Sequence, residues 1–472
     1  MRFVPRHGLA ARASLALLAC TLCLFLLKDK KAPAPASTLL FHGLALREFR
    51  GPSLFDPLAF TPPLGFGAGA GVLGGAVFAR RVLARHCGAA AAEKLMALQD
   101  VTPRAQLRQL QAVADACPPA SFLPFAGREV WPAAADAVVL DTDVGGLWDA
   151  SEVVLARLGA GCPSPPGPVA CTVFLHTDAL AASAGGVLAF LAKLPAQRLV
   201  LLSSSNDDCC VPWCRVAAGP SLLARQQQPL EADSSLLTRL LLHPRVVAWF
   251  AENPCLSHPK LHPLPLGPAF RTSREFGAED VHAAKRSALA MVADGLQLRS
   301  AERQGLLVRL TLATSDDPMH ALYRGVRRDN IAHMLALAEA LGGSEGGDGR
   351  GSAGITGSVM PGKAPEALNA TDGYKRDLAR ALFAWAPPGR GIDSHRAWEC
   401  MLAGCVPIVL RTTLSPLYAG MAVLQVDDFG RLTARELKRA AELLASSNTT
   451  SAPAPQLYAF YWLALIEQAA RQ

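Results

Sequence analysis

Residues 389–409 read GRGIDSHRAWECMLAGCVPIV. Before them lies the apolar run LFAWA at 382–386, followed by Pro387 and Pro388, which lack the N–H needed to continue a sheet ladder. The run predicts a buried strand that stops at the prolines. Gly389, Arg390 and Gly391 predict a flexible turn, and Asp393 or Ser394 the cap of a helix over 395–403. Gly404 ends that helix, and a strand follows at 406–410. Strand, glycine turn, helix and strand in this order make up the unit of an α/β fold with a parallel sheet.

Such a turn leaves free backbone N–H groups at a helix N-terminus, and these groups and the helix dipole both attract an anion, for which a diphosphate is the natural candidate. His395 and Glu399 are four apart and share a face, with Arg396 next to His395. A basic residue in the first turn meets phosphate. A carboxylate one turn deeper accepts hydrogen bonds from a ribose diol. Ligands in open α/β sheets collect at such carboxyl ends of strands.

Outward from this segment the alternation continues. Strands are predicted at 307–313, 382–386, 406–410 and 423–426, with helices at 328–341, 373–381 and 395–403, giving one Rossmann-like lobe over 256–436. Within it, residues 342–365 are Gly-rich and polar and predict a mobile loop. Upstream, strands at 137–140, 171–175, 198–202 and 246–250 alternate with helices at 179–194 and 234–242, a second Rossmann-like lobe over 125–255. A helical region at 77–124, a Pro-, Gly- and Ala-rich stem at 32–76 and two C-terminal helices within 437–472 complete the chain, the last expected to pack back across the first lobe.

With 472 residues the chain exceeds one ordinary domain. Its net charge of +7 is concentrated at the start: residues 1–31 hold six Lys or Arg and one Asp, or +5, leaving +2 elsewhere. That balance argues against a nucleic-acid partner. Residues 13–27 are uncharged and apolar between basic flanks, so 1–31 reads as a short cytoplasmic tail and signal-anchor that tethers a lumenal body to a membrane, with a secreted or plastid protein as the alternatives. Cys20 and Cys23 fall in the anchor and the other ten of the 12 cysteines read as disulfides. Sequons at Asn369 and Asn448 agree with a secretory compartment.

The string GRGIDSHRAWECMLAGCVPIV, continued by SPLY at 415–418 and by VLQVDD at 423–428, resembles the exostosin-like glycosyltransferases, in particular the branch similar to the xylosyltransferase of dystroglycan glycans. VFLHTDAL at 173–180, RLVLLSSSNDD at 198–208, HPRVVAWFAEN at 243–253 and HPKLHPLPLGP at 258–268 also look like that family, so the likeness covers about residues 170–435. It implies the two-lobed GT-B type, an inverting and metal-independent enzyme without a cofactor, and a UDP-sugar as donor in the C-terminal lobe. Glu399 would hold the ribose, Arg396 and the Gly389–Gly391 turn would face the diphosphate, Asp393 and His395 would belong to the same donor site, and Arg327 or Arg328 would add charge. The acceptor would be a glycan or glycoprotein, and the address the Golgi membrane. A GDP-sugar enzyme similar to fucosyltransferases and a non-catalytic glycan-binding protein of the same fold are the alternatives.

Glycosyl transfer with inversion also needs a base on the acceptor hydroxyl. Asp207, Asp208, Asp178 and His176 lie just past predicted strand ends of the first lobe, and Asp207 and Asp208 are the leading candidates. Asp141, Thr142 and Asp143 mimic a metal-binding DxD but stand about 250 residues from the donor segment, and are read as coincidence. Cys209, Cys210 and Cys214 with His243 lack zinc-site spacing and are read as disulfide cysteines.

Overall fold

The structure is a computed structural model that describes residues 40–41, 83–84, 87–96, 103–117, 123–127, 130–139, 170–176, 187–188, 191–192, 194, 196, 198–204, 236–254, 258–269, 278–298, 303–311, 321–342, 358–360, 372–389, 391–446 and 454–471. In chain order we label β1 (Leu40–Phe41), α1 (Ala89–Met96), α2 (Pro103–Ala116), α3 (Trp131–Ala134), β2 (Ala137–Val139), β3 (Cys171–His176), β4 (Leu199–Ser204) and α4 (Leu236–Leu241). There follow β5 (Val246–Glu252), β6 (Leu261–Leu264), α5 (Ala278–Gln297), β7 (Gln304–Leu307), β8 (Arg309–Thr311), α6 (Ala321–Gly342), β9 (Ser358–Met360) and α7 (Asp372–Arg380). The C-terminal part contains β10 (Ala381–Trp385), α8 (His395–Leu402), β11 (Val406–Leu410), β12 (Leu424–Val426), α9 (Ala434–Ser446) and α10 (Ala459–Arg471).

The protein is a mixed α/β fold built on two five-stranded sheets. The first has the order β2-β3-β4-β5-β6 and is parallel throughout. Its central strands CTVFLH, LVLLSS and VVAWFAE are apolar on both faces, as a sheet covered on both sides requires. Odd positions such as Val173, Leu201 and Trp249 face one core, where Trp249 Nε1 donates to Ser203 Oγ at 2.8 Å. Even positions such as Phe174, Leu202 and Phe250 face another, which also takes in Trp398 and Leu402 of α8 and Phe460 and Ile466 of α10.

The second sheet has the order β1-β12-β11-β10-β7, parallel except for the antiparallel edge strand β1. On one side Trp385, Ile408 and Leu424 pack with Met334 of α6 and Leu437 of α9; on the other, Ala384 meets Leu378 of α7 and Cys400 of α8. Helix α10 lies against β4 and β5, and Ala170 N donates to Ala470 O at 2.7 Å. A Cys87–Cys117 disulfide spans α1 and α2, and α2 packs on α5.

Several expectations shift. Residues 261–264, assigned to the second lobe by sequence, form β6 at the edge of the first sheet, because Trp249–Glu252 pair with Leu261–Leu264 in parallel register. The run predicted as one strand at 307–313 divides into β7 and β8 around buried Val308. Helix α6 starts at Ala321, so Arg327 and Arg328 sit in its second turn rather than at its start. The Gly-rich segment 342–365 contributes β9, paired with β8, and the stem contributes β1. Cys400 and Cys405 are free thiols, which removes two cysteines from the predicted disulfide set. The apolar anchor of residues 13–27 lies outside the described residues, among which no helix is long and apolar enough to cross a membrane.

The Cys87–Cys117 bridge closes a separation of 30 residues. Closing a loop of that size stabilises a protein by about 2–4 kcal/mol through the unfolded chain. Changing both residues to Ser is expected to lower stability by that amount in urea denaturation.

Candidate active site

The polypeptide leaves β10 at Trp385 and passes through Pro387 and Pro388 into the glycine turn, where Gly389 N donates to Gly391 O at 3.0 Å. Ser394 takes the N-cap position with extended backbone (φ −137°, ψ 137°), yet its hydroxyl does not cap α8, and Asp393 does not cap it either. Ala397 N donates to Ser394 O at 3.0 Å, and among the described residues no side-chain cap is formed by Ser394 at this helix N-terminus, the kind of end whose free N–H groups attract anions.

Asp393, read from the sequence as a cap candidate and a donor-site residue, is held by four donors of the protein itself. Its carboxylate is 2% exposed and accepts from Leu266 N (2.9 Å), Ser394 N (2.8 Å), Trp398 Nε1 (2.8 Å) and Tyr418 OH (3.2 Å). Its own N–H donates to Asn253 Oδ1 at 2.7 Å. Burial raises its pKa, and the donors from Leu266, Trp398 and Ser394 oppose that rise. With four donors aimed at two oxygens, this carboxylate joins the chain after β6, the start of α8 and Tyr418, while its backbone N–H reaches the residue after β5. His395 reinforces the same junction, its Nδ1 lying 2.8 Å from Gly267 O. Gly267 is required there, since its φ is 75° and a Cβ would strike the Ala126 carbonyl.

The remaining charged residues around the turn and helix are Arg396, Glu399 and Arg327. Glu399 is half-buried, with Oε1 accepting from Ala269 N (3.3 Å) and Oε2 from Tyr374 OH (3.0 Å). Each carboxylate oxygen has a second lone pair, so both can still accept from a diol. Burial, then the Glu399 charge, pushes the Tyr374 hydroxyl well above its usual pKa, so it serves Glu399 as a donor. The Tyr374 ring is flanked by two guanidinium groups, with Arg396 Cζ at 5.7 Å and Arg309 Cζ at 5.8 Å from its centroid. Arg309 in turn pairs with Asp377 at 2.9 Å.

Arg327 reaches the glycine turn from α6, its Nε donating to Pro388 O at 2.8 Å. A Cβ on Gly389 would come within 3.3 Å of Arg327 Nη2, so the turn and the guanidinium are in direct contact. Burial, and then repulsion from Arg396, pull the Arg327 pKa well below the ordinary arginine value. Like charges in each other's field repel, and the repulsion is felt more strongly where burial reduces screening by water. Arg328 is exposed on the same helix and is not part of this arrangement.

At its other end α8 closes with Gly404 (φ 72°): Gly404 N donates to Met401 O and Cys405 N to Cys400 O. The buried Arg303 side chain lies against Gly404 and donates to Ala403 O (2.8 Å) and Gly295 O (2.7 Å), tying the helix end to α5.

Asp207 and Asp208 lie outside the described residues, as do Asp178, Asp141–Asp143 and Cys209, Cys210 and Cys214. His176 is described, at the end of β3. The sequence reading passed over Asn253, Tyr374, Tyr418 and the N–H groups of Leu266 and Ala269. Only Asn253 left a signal, an Asn before Pro at a strand end, and it adopts φ 48° as that residue type tolerates. The others act across more than 20 residues of sequence, where no local pattern reports them.

Asp393→Ala leaves Leu266 N, Trp398 Nε1 and Tyr418 OH without their acceptor. At about 1–3 kcal/mol per buried unsatisfied group the loss should be at least about 3 kcal/mol. Urea denaturation measures it, and Asp393→Asn should lose less. Compared with known proteins, the chain matches no family model and no curated sequence.

Proposed function

We propose that this protein is a glycosyltransferase of the GT-B type that transfers a sugar from a UDP-sugar to a glycan or glycoprotein acceptor. One observation carries the reading: Arg327 touches the glycine turn and feels the charge of Arg396 in the first turn of α8, with Glu399 one helical turn deeper and held by two donors. A nucleoside diphosphate supplies what that arrangement asks for. Its phosphates neutralise the two guanidinium groups and accept from the helix N–H groups, while its ribose hydroxyls donate to Glu399.

As the bond from the anomeric carbon to the diphosphate breaks, negative charge grows on the leaving oxygens. Fixed donors already aimed at that place stabilise the charge without reorganising, which is the largest contribution a protein can make to such a step. Arg396 and Arg327 are the cations for that role. The two parallel sheets support the two-lobed arrangement, with the donor on the second sheet. In this reading the N-terminal apolar segment anchors the protein in the Golgi membrane, and no metal is required for the donor.

The test is release of UDP or GDP from a panel of nucleotide sugars by the full-length protein. UDP release is expected, with Arg396→Ala slowed by about 10²–10³-fold, the usual effect of losing one charge-stabilising donor. Glu399→Ala should raise the UDP dissociation constant about tenfold or more. Release of GDP alone would transfer the reading to a GDP-sugar enzyme, and no release from any donor would favour a non-catalytic binding protein. Tyr374→Phe should weaken UDP binding by about 3–10-fold in calorimetry, since one neutral hydrogen bond contributes about 0.5–1.5 kcal/mol.

A further inference from the structure

The first sheet carries three polar side chains side by side at its carboxyl edge. His176 pairs in register with Ser204. Ser203 pairs with Ala251, which sets Ser204 beside Glu252. All three stand on the face that carries Phe174, Leu202 and Phe250 one step earlier, since side chains alternate along a strand. On that face the rung before it, Phe174, Leu202 and Phe250, is apolar, and the terminal rung changes to imidazole, hydroxyl and carboxylate.

Ser204 is 1% exposed and Glu252 2%, while His176 is half-buried. Among the described residues no hydrogen-bond partner reaches Ser204 Oγ. A buried hydroxyl in that condition is uncommon, and this one lies between an imidazole and a carboxylate. The row is also next to the donor helix: Asn253, directly after Glu252, accepts the N–H of Asp393 two residues before α8 begins.

We propose that this row is the acceptor-activating edge of the active site, with His176 as the catalytic base and Ser204 and Glu252 as positioning residues. The inference rests on the nucleotide-sugar reading given above. The acceptor hydroxyl gives its proton to His176 Nε2 as its oxygen forms a bond to the anomeric carbon. The bond from that carbon to the diphosphate oxygen breaks, and its electron pair leaves with the diphosphate. His176 Nδ1 is enclosed by the protein, so the imidazolium that forms turns its Nδ1–H inward. Ser204 Oγ rotates to accept it and donates its own proton into a hydrogen bond with the Glu252 carboxylate, which stabilises the added positive charge. Afterwards His176 returns the proton to solvent.

Because water can replace the acceptor, UDP release from a panel of UDP-sugars by the full-length protein tests the row, with UDP binding measured separately by calorimetry. His176→Ala is expected to lower turnover by about 10²–10⁴-fold, the range for a lost general base. Added imidazole should restore part of it. Glu252→Gln should lower kcat by about tenfold or more with the donor KM unchanged, and Glu252→Asp should recover activity toward wild type. Each of these variants should bind UDP as wild type does, a result that a folding defect would not give. Turnover of His176→Ala within twofold of wild type overturns the inference. So does loss of turnover in Asp207→Asn or Asp208→Asn while His176→Ala remains active. A wild-type protein that binds UDP but releases it from no donor overturns the role of the row and leaves the nucleotide site standing. A wild-type protein that does not bind UDP overturns the reading beneath both.

Discussion

The buried carboxylate of Asp393 is the interaction on which the rest of the arrangement depends. A charge placed at 2% exposure costs several kcal/mol unless donors replace its water, and here four of them do. Those donors come from the chain after β6, from the first turn of α8 and from Tyr418, which approaches from beyond β11. One side chain thus fixes three segments relative to one another. Ala269 N can find Glu399 and Gly267 O can find His395 only because the backbone beside them is held in place at Leu266.

Much of this was legible in the amino-acid sequence and some was not, and the division has a physical basis. Both parallel sheets could be read, because β3, β4, β5, β10 and β11 are short apolar runs with helices or turn residues between them. The strand, turn and helix around Gly389 were legible for the same reason, as were Arg396 and Glu399 on the helix. The partners of Asp393 were not legible. An Asp just before a helix looks like a cap or an anion-site residue, and nothing local reveals that Trp398, Tyr418 and a distant backbone N–H converge on it. Residues 261–264 were placed with the second lobe because LHPL carries too little apolar alternation to show which neighbour it pairs with. The free thiols Cys400 and Cys405 illustrate a third limit, since an even count of cysteines says nothing about which of them meet.

The site's electrostatics are set by what surrounds its charges more than by their number. Net charge beyond the first 31 residues is small, yet Arg327, Arg396 and Arg309 gather around one aromatic ring and one turn. Asp377 neutralises Arg309, while Arg327 and Arg396 repel each other. The positive potential is therefore local, directed at the glycine turn, and partly screened from water by burial.

Arg303 at the opposite end of α8 bears on how far that potential extends. A bare helix is a dipole, and the attraction of its positive pole for an incoming anion is partly cancelled by the negative pole behind it. Here a buried guanidinium sits on the carbonyl end, close enough to exclude any side chain at Gly404. In the nucleotide-sugar reading that guanidinium offsets the rear pole, so the front pole would act on an incoming phosphate as a monopole does, with a field that falls off more slowly than that of a dipole. Arg303, 86 positions before Gly389 in sequence, would then affect the approach of a ligand at the far end of the helix.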